Sequence, residues 1–158
     1  MKKVLVFGSF DILHPGHLAF FKSAKRFGNS LVVVVARDSS IKRLKGRKPY
    51  LNERERLEMV SALRIVDKAI LGDKKDFHKP IEREKPDVIV LGYDQKVDLK
   101  ELKRRIEERD LNTKVIRLKK PLLPEKYKSS RIRTFLESQV IWGGKGFDGH
   151  EGLSSRRK

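Results

Sequence analysis

The chain has 158 residues, no cysteine and a formal net charge of +17, and 38% of its residues are hydrophobic. Without cysteine it forms no disulfide, no thiolate metal site and no cysteine nucleophile, and no apolar run approaches the roughly 20 residues of a membrane span. The length fits one domain with a real core, and these features together predict a cytoplasmic enzyme.

Apolar runs alternate with helical patterns along most of the chain. The runs are nearly continuous in Val, Ile and Leu, which is typical of parallel strands covered on both faces. The predicted strands are Val4–Phe7, Leu31–Ala36, Asp67–Leu71, Val88–Leu91 and Lys114–Leu118. This alternation predicts an α/β fold: a Rossmann-like, doubly wound sheet of five parallel strands flanked by helices.

Five helical patterns accompany the strands. The first carries apolar residues at helical spacing up to Phe27, and Asn52 is placed to cap the second. The third covers residues 76–84, the fourth has its apolar face at Leu99, Leu102 and Ile106, and the last runs from Ile132 to Val140. Residues 143–158 are rich in glycine and lack periodicity, which predicts one domain at 1–142 followed by a mobile tail.

The turn after the first strand carries the strongest chemical signal. It contains His14-Pro15-Gly16-His17, directly before the first predicted helix. Proline suits the first turn of a helix, and two histidines three residues apart share one helix face. Because a helix N-terminus attracts anions and imidazoles donate to phosphoryl oxygens, the turn predicts a phosphate site. Gly8 and Gly16 are expected to let the ligand approach the backbone closely.

The positive charge is concentrated in two segments near predicted strand ends. Residues 39–48 contain five cations and no acid, and residues 114–133 contain eight cations against one acid, Glu125. Ligands of open parallel sheets bind at strand ends, so both segments favour a polyanionic ligand. The alternatives are a solvated charged surface and nucleic-acid binding, although no recognition-helix or RNP-type pattern accompanies the charge.

Gly8-Ser9-Phe10-Asp11 followed by His14-Pro15-Gly16-His17 resembles the HxGH signature of the cytidylyltransferase-like nucleotidyltransferases. The resemblance covers roughly residues 3–140, and within the family the sequence most resembles the archaeal FAD synthases. Its further motifs are Ala36-Arg37-Asp38, Lys45-Gly46-Arg47-Lys48-Pro49, Gly92-Tyr93-Asp94-Gln95 and Ser129-Ser130-Arg131.

This resemblance implies direct transfer of AMP from ATP to FMN, giving FAD and pyrophosphate. Mg²⁺ or another divalent cation would accompany ATP on its phosphates, without a tightly bound prosthetic group. The alternative is a CTP-dependent cytidylyltransferase acting on glycerol phosphate or a similar alcohol phosphate, and the distant alternative is a basic nucleic-acid-binding module. No membrane partner is expected, and a homodimer is the oligomer that related enzymes suggest.

The resemblance also assigns roles to residues of this chain. The catalytic residues would be His14, His17, Lys45 and Ser129. The substrate- and nucleotide-binding residues would be Gly8, Ser9, Phe10, Asp11, Gly16, Arg56, Arg64, Gly92, Asp94, Gln95, Ser130 and Arg131. No side-chain metal ligand is predicted, with Asp11 or Asp38 as support for the metal at most, and the stretch Pro121–Tyr127 is a candidate for the flavin pocket.

Overall fold

A computed structural model describes residues 1–119 and 127–139. Its five parallel strands form one sheet in the order β3-β2-β1-β4-β5, which confirms the predicted fold class. The strands are β1 (Lys3–Gly8), β2 (Ser30–Val35), β3 (Lys68–Leu71), β4 (Val88–Leu91) and β5 (Lys114–Arg117), each within one residue of its predicted bounds. The expected tail at 143–158 and most of the stretch 121–127 lie outside the described residues.

The strand order reverses between β1 and β4, and the sheet opens there. β1 pairs with β2 along its whole length, but it pairs with β4 only at Val4 and Leu5. The carboxyl ends of β1 and β4 therefore part from each other and leave a crevice. In open α/β sheets this topological switch point is where ligands bind.

Six helices lie in the described part of the chain. They are α1 (Pro15–Lys25), α2 (Asp38–Lys45), α3 (Glu53–Ser61), α4 (Lys79–Glu84), α5 (Leu99–Glu108) and α6 (Ser129–Gln139). α2 is absent from the sequence prediction, which treats residues 39–48 as a basic segment. It buries a single residue, Ile41, so it shows no apolar periodicity that a sequence pattern could reveal.

The core consists of two apolar layers, one on each face of the sheet. Alternate residues of β1 enter opposite layers, with Val4 and Val6 on the side of Phe21 and Val60, and Leu5 and Phe7 on the side of Leu102 and Ile106. Burial of each such side chain contributes roughly 1.5–3 kcal/mol. Within the described ranges, no helix is long and apolar enough to cross a membrane.

Candidate active site

The two histidines of the β1–α1 turn hold each other in place. His14 is the N-cap of α1, and its Nδ1 accepts a hydrogen bond from the Gly16 amide at 3.0 Å. The Nδ1 of His17 accepts a hydrogen bond from the His14 amide at 3.3 Å. This is a capping box made of two imidazoles in place of the usual hydroxyl and carboxylate. The rings stack with centroids 3.8 Å apart, so both occupy the same side of the helix start.

These hydrogen bonds define where each ring carries its proton. A neutral imidazole has one donor and one acceptor nitrogen, and in both rings Nδ1 is the acceptor. The proton therefore lies on Nε2 of both His14 and His17. Burial lowers the pKa of His14, and burial together with the charges of His14 and Lys45 lowers the pKa of His17 to about 3. At neutral pH the turn thus offers two neutral Nε2–H donors beside the α1 N-terminus.

The lowered pKa of His17 predicts acid sensitivity of the fold. Between the ordinary histidine pKa of 6.5 and about 3, the unfolded chain binds a proton at His17 that the folded chain does not. The free energy of unfolding therefore falls as pH drops through this window. Glutamine does not titrate, so we expect the His17→Gln variant to take up fewer protons on unfolding in this pH window, by at most one proton. Urea unfolding at several pH values checks this: unchanged pH dependence would contradict the low pKa.

Phe10 supports His17 from the core side. Phe10 is 4% exposed and has a left-handed backbone with φ of 50°. Its ring meets the His17 ring edge-on, with centroids 5.3 Å apart. A Cβ on Gly8 would lie 2.5 Å from the Phe10 ring. The buried Phe10 ring supports His17, and Gly8 makes room for that ring, while the contacts of both residues with substrate stay predictions.

Gly16 also serves a neighbour within the protein. A Cβ at Gly16 would come within 2.7 Å of the His14 ring and 3.4 Å of the Tyr127 carbonyl oxygen. The small residue therefore lets the His14 ring fold over the backbone, and close approach of a phosphate at Gly16 stays a prediction. It also lets the segment preceding α6 approach α1.

The N-terminus of α6 reaches the same turn from the far end of the sequence. The Ser129 hydroxyl donates to the Ile12 carbonyl at 3.4 Å, and Arg133 lies 3.7 Å from the Asp11 carboxylate. Ser130 and Arg131 follow in the exposed first turn. The Ser129 hydroxyl thus bonds the chain two residues before His14, and its catalytic role stays a prediction. Arg133 is absent from the predicted site, although its spacing of four residues from Ser129 places it on the same helix face.

Asp11 fastens the loop that follows α2. It is 8% exposed, and its two carboxylate oxygens accept hydrogen bonds from the amides of Tyr50 and Leu51, each at 2.9 Å. This carboxylate is therefore engaged by backbone amides, and its contact with substrate or its support of a metal stays a prediction. By holding the loop, Asp11 helps to place the end of α2 over the site.

Lys45, the last residue of α2, faces the histidines. It is exposed overall, and partial desolvation of its amine is the largest cause of a lowered pKa. Arg47 and Arg133 act in the same direction, whereas Asp11 and Asp94 oppose them. The charge of Lys45 in turn lowers the pKa of His17. Lys45, Asp94 and Arg133 therefore belong to one electrostatic neighbourhood, in which Lys45 supplies a cation close to the two imidazoles.

The Arg56 side chain lies beneath the surface of the site. The side chain is 0% exposed, and its guanidinium donates to the carbonyls of Ser9, Ala36 and Leu51 and to the Asp38 carboxylate. These four hydrogen bonds of Arg56 are made within the protein, and its binding of phosphate stays a prediction. Arg56 joins three loops at the carboxyl edge of the sheet. The same bonds occupy Asp38, which also accepts from the Glu53 amide at 3.2 Å.

Gln95 bridges the crevice at the switch point. Its side-chain oxygen accepts from the Gly92 amide at 2.7 Å, and its side-chain nitrogen donates to the Phe7 carbonyl at 2.7 Å. Both ends of this amide hold backbone in the structure, and its contact with a base or ribose stays a prediction. Gly92 lies at the base of the bridge, and Asp94 remains exposed at the crevice.

Arg64 lies away from the site. It is exposed in the turn between α3 and β3, where Asp67 bonds the backbone of Leu31 at the amino-terminal edge of the sheet. The four residues of β3, about 13 Å of strand, separate this turn from the carboxyl edge. The structure therefore does not bring Arg64 together with the histidines, and its role in nucleotide binding stays a prediction.

Two imidazole donors and the N-termini of α1 and α6 meet at the switch point of a parallel α/β sheet. This arrangement defines an enzyme of the phosphate-binding, nucleotidyltransferase class. The family described as cytidylyltransferase-like matches residues 5–135, and the chain belongs to it.

Curated relatives support a narrower position in the family. A protein named FAD synthase from Methanohalophilus mahii is 52% identical over 121 residues, which are 77% of this chain and 84% of that protein. A FAD synthase from Aciduliprofundum boonei is 52% identical over 120 residues, covering 76% and 80%.

Solved structures agree on the fold. A lipopolysaccharide core biosynthesis protein from Thermoplasma volcanium has a TM-score of 0.70 and 46% identity, covering 75% of this chain and 96% of that one. A pantoate-β-alanine ligase from Francisella tularensis shares the fold alone, with a TM-score of 0.54 and 16% identity over 74% of this chain and 58% of that chain.

Proposed function

We propose that this chain transfers the adenylyl group of ATP to FMN and produces FAD and pyrophosphate. The substrate pair is supported by the relatives named FAD synthase. The observation that carries the reaction type is the stacked His14–His17 pair, in which both Nδ1 atoms are bound to backbone and both Nε2–H groups are left to donate. A cysteine-free chain also suits a reducing cytoplasm.

The proposed step is an in-line displacement at phosphorus. A phosphate oxygen of FMN forms a bond to the α-phosphorus of ATP, and the bond from that phosphorus to the oxygen bridging to the β-phosphate breaks. The FMN phosphate is already anionic, so the protein needs no nucleophile and no strong general base. Its contribution is to position the reactants and to stabilise charge on the transferring and leaving phosphates.

The described residues divide this work between two helix ends. His14 and His17 donate to the α- and β-phosphates from the α1 N-terminus, and Lys45 neutralises charge between them. Ser129 and Ser130, at the α6 N-terminus, face the leaving pyrophosphate, with Arg131 in the same turn. We assign binding of the nucleoside to the loop that contains Gly92 and Asp94. We assign the backbone lining of the crevice to Ser9.

Mg²⁺ fits this site as a companion of the nucleotide. Asp11 and Asp38 are engaged by backbone amides and by Arg56, and the described residues contain no cluster of three or more histidine or carboxylate groups suited to a metal ion. The cation would therefore be held by phosphate oxygens and water, which Mg²⁺ prefers. When bound, it neutralises charge on the transferring phosphates.

This arrangement predicts that Mg²⁺ alone leaves thermal stability unchanged. Mg²⁺ together with an ATP analogue that carries a methylene between its α- and β-phosphates is expected to raise Tm by about 5–10 °C at a hundredfold excess over Kd. Differential scanning calorimetry of four samples, with each component alone and combined, provides the measurement. A comparable shift with Mg²⁺ alone would show a protein-held metal site.

The proposed activity is tested by incubating the protein with FMN, MgATP and pyrophosphatase and separating the flavins by chromatography. FAD is expected with ATP, and much less product with CTP. A parallel arm with CTP and glycerol 3-phosphate measures the alternative reaction. If pyrophosphate is released only in that arm, the chain is a cytidylyltransferase and the proposal fails.

A further inference from the structure

An aromatic ring lies at the open end of the crevice and has no part in the chemistry described above. Phe77, in the loop between β3 and α4, is 40% exposed. One side of its ring packs on Phe7, with centroids 4.3 Å apart and planes 31° apart. The His78 ring meets it edge-on at 5.5 Å. Phe77 is thus held in a fixed orientation although a large part of it remains open to solvent.

The position of Phe7 shows that this ring lies at the switch point. Phe7 is the second-last residue of β1, beyond Leu5, where pairing with β4 ends. Its carbonyl is the one that accepts from Gln95 across the crevice. The β3–α4 loop begins beside the same edge, since the Gly72 carbonyl accepts from Arg37 at 2.7 Å. Phe77 therefore lies over the tip of β1, next to the crevice.

The aromatic ring and the phosphate donors lie on opposite sides of that strand tip. Phe7 packs in the core layer of Leu102 and Ile106, whereas Phe10, which supports His17, packs in the other layer. A ligand that reaches both must cross the end of β1 at Gly8 and Ser9. It would need a phosphate at one end, a flat apolar ring at the other and a flexible linker between them.

FMN has this construction, and we propose that its isoalloxazine ring stacks on the open face of Phe77 while its phosphate reaches, across the tip of β1, the ATP α-phosphate held at His14 and His17. This inference rests on the proposed function and adds the location of the flavin ring. An aromatic platform already fixed by Phe7 and His78 loses little conformational freedom on binding. Stacking between flat rings is favoured at centroid separations of 4.5–7 Å.

Other exposed aromatic side chains are less suited to this task. Tyr50 is 52% exposed in the loop fastened by Asp11, and Phe135 is 62% exposed in the second turn of α6. Phe135 has no aromatic ring of the described residues packed against one side, and Tyr50 lies in a different loop from Phe77. The candidate stretch 121–127 remains untested, because residues 121–126 lie outside the described part of the chain.

The test compares Phe77→Ala, Phe77→Leu and Phe77→Tyr by titrating FMN into protein that holds MgATP analogue and following the quenching of flavin fluorescence. Phe77→Ala and Phe77→Leu are expected to raise the Kd for FMN about tenfold or more, because a stacked aromatic ring is lost. Phe77→Tyr keeps the ring and is expected to bind within about threefold of the unmodified protein. In the FAD assay the KM for FMN should rise in parallel, and the KM for ATP should stay within about twofold.

Met59→Ala is the matched control, because Met59 is 51% exposed on α3 and far from the crevice. Thermal unfolding verifies that each variant is folded, and Phe77→Leu retains apolar packing on Phe7 if the alanine variant is too unstable. The inference is overturned if the unmodified protein makes FAD while Phe77→Leu binds FMN normally. Absence of FAD with the unmodified protein would instead overturn the proposed function, so the two failures are distinguishable.

Discussion

Replacing His17 with glutamine is expected to lower the turnover number for FAD formation by two to three orders of magnitude without unfolding the protein. The magnitude is typical for removal of one donor that stabilises transition-state charge. Glutamine at this helix position can still accept from the His14 amide, as in an ordinary capping box, so the structural half of the role is retained. Its amide nitrogen can still donate, but this open-chain amide lacks the rigid, stacked ring that fixes Nε2 of His17 in position.

Steady-state kinetics separate the catalytic role of His17 from its role in capping the helix. If the interaction is made chiefly in the transition state, kcat and kcat/KM should fall together while the KM for ATP changes little. His17→Ala, which removes the capping acceptor as well, should lose the same activity and also some thermal stability. Near-normal turnover in His17→Gln would exclude the histidine from the proposed transfer.

Replacement of Arg56 by methionine is expected to destabilise the fold by about 3 kcal/mol or more, because each buried carbonyl that loses its donor costs roughly 1–3 kcal/mol. The side chain is fully buried, and its loss leaves the carbonyls of Ser9, Ala36 and Leu51 without their donor. Urea unfolding measures the change. The matched control is Arg54→Ala on the exposed side of the same helix, for which a change within about 0.5 kcal/mol is expected.

Arg56→Lys tests whether the branched guanidinium is needed. A lysine amine has no planar fork, so it cannot reach acceptors on three loops in the same geometry. We therefore expect intermediate stability for this variant, with its activity lowered because the loops that carry Ser9 and Asp38 are less well placed. If Arg56→Met is as stable as Arg54→Ala, the buried network contributes nothing and Arg56 remains a candidate for substrate binding.

The strands and the histidine turn were predictable because their signals are local. A nearly continuous run such as Leu31–Val35 has few alternatives to a buried parallel strand. The spacing of His14 and His17 places both rings on one helix face whatever the rest of the chain does. α2 was not predictable in this way, since its one buried residue, Ile41, leaves a polar segment whose helical state depends on its surroundings.

The roles of several site residues depend on partners far away in the sequence. The type of residue at Arg56, Asp11 or Gln95 suggests ligand binding, but the structure shows donors and acceptors already used by backbone of other loops. For Gln95 the partner is Phe7, 88 residues away. No spacing rule along the chain predicts such a bond. Sequence patterns therefore located the site more reliably than they distinguished residues that face a ligand from residues that hold the surrounding loops.

The attachment of α6 has a consequence for the order of events on binding. None of its described side chains is fully buried, whereas β1 has four consecutive buried residues. Segments with few buried apolar contacts open locally at little free-energy cost. The α1 half of the site follows directly on this buried strand, and the described contacts that join the α6 half to it include those of Ser129 and Arg133. A triphosphate that contacts both halves would hold α1 and α6 together, and release of the pyrophosphate would remove that link.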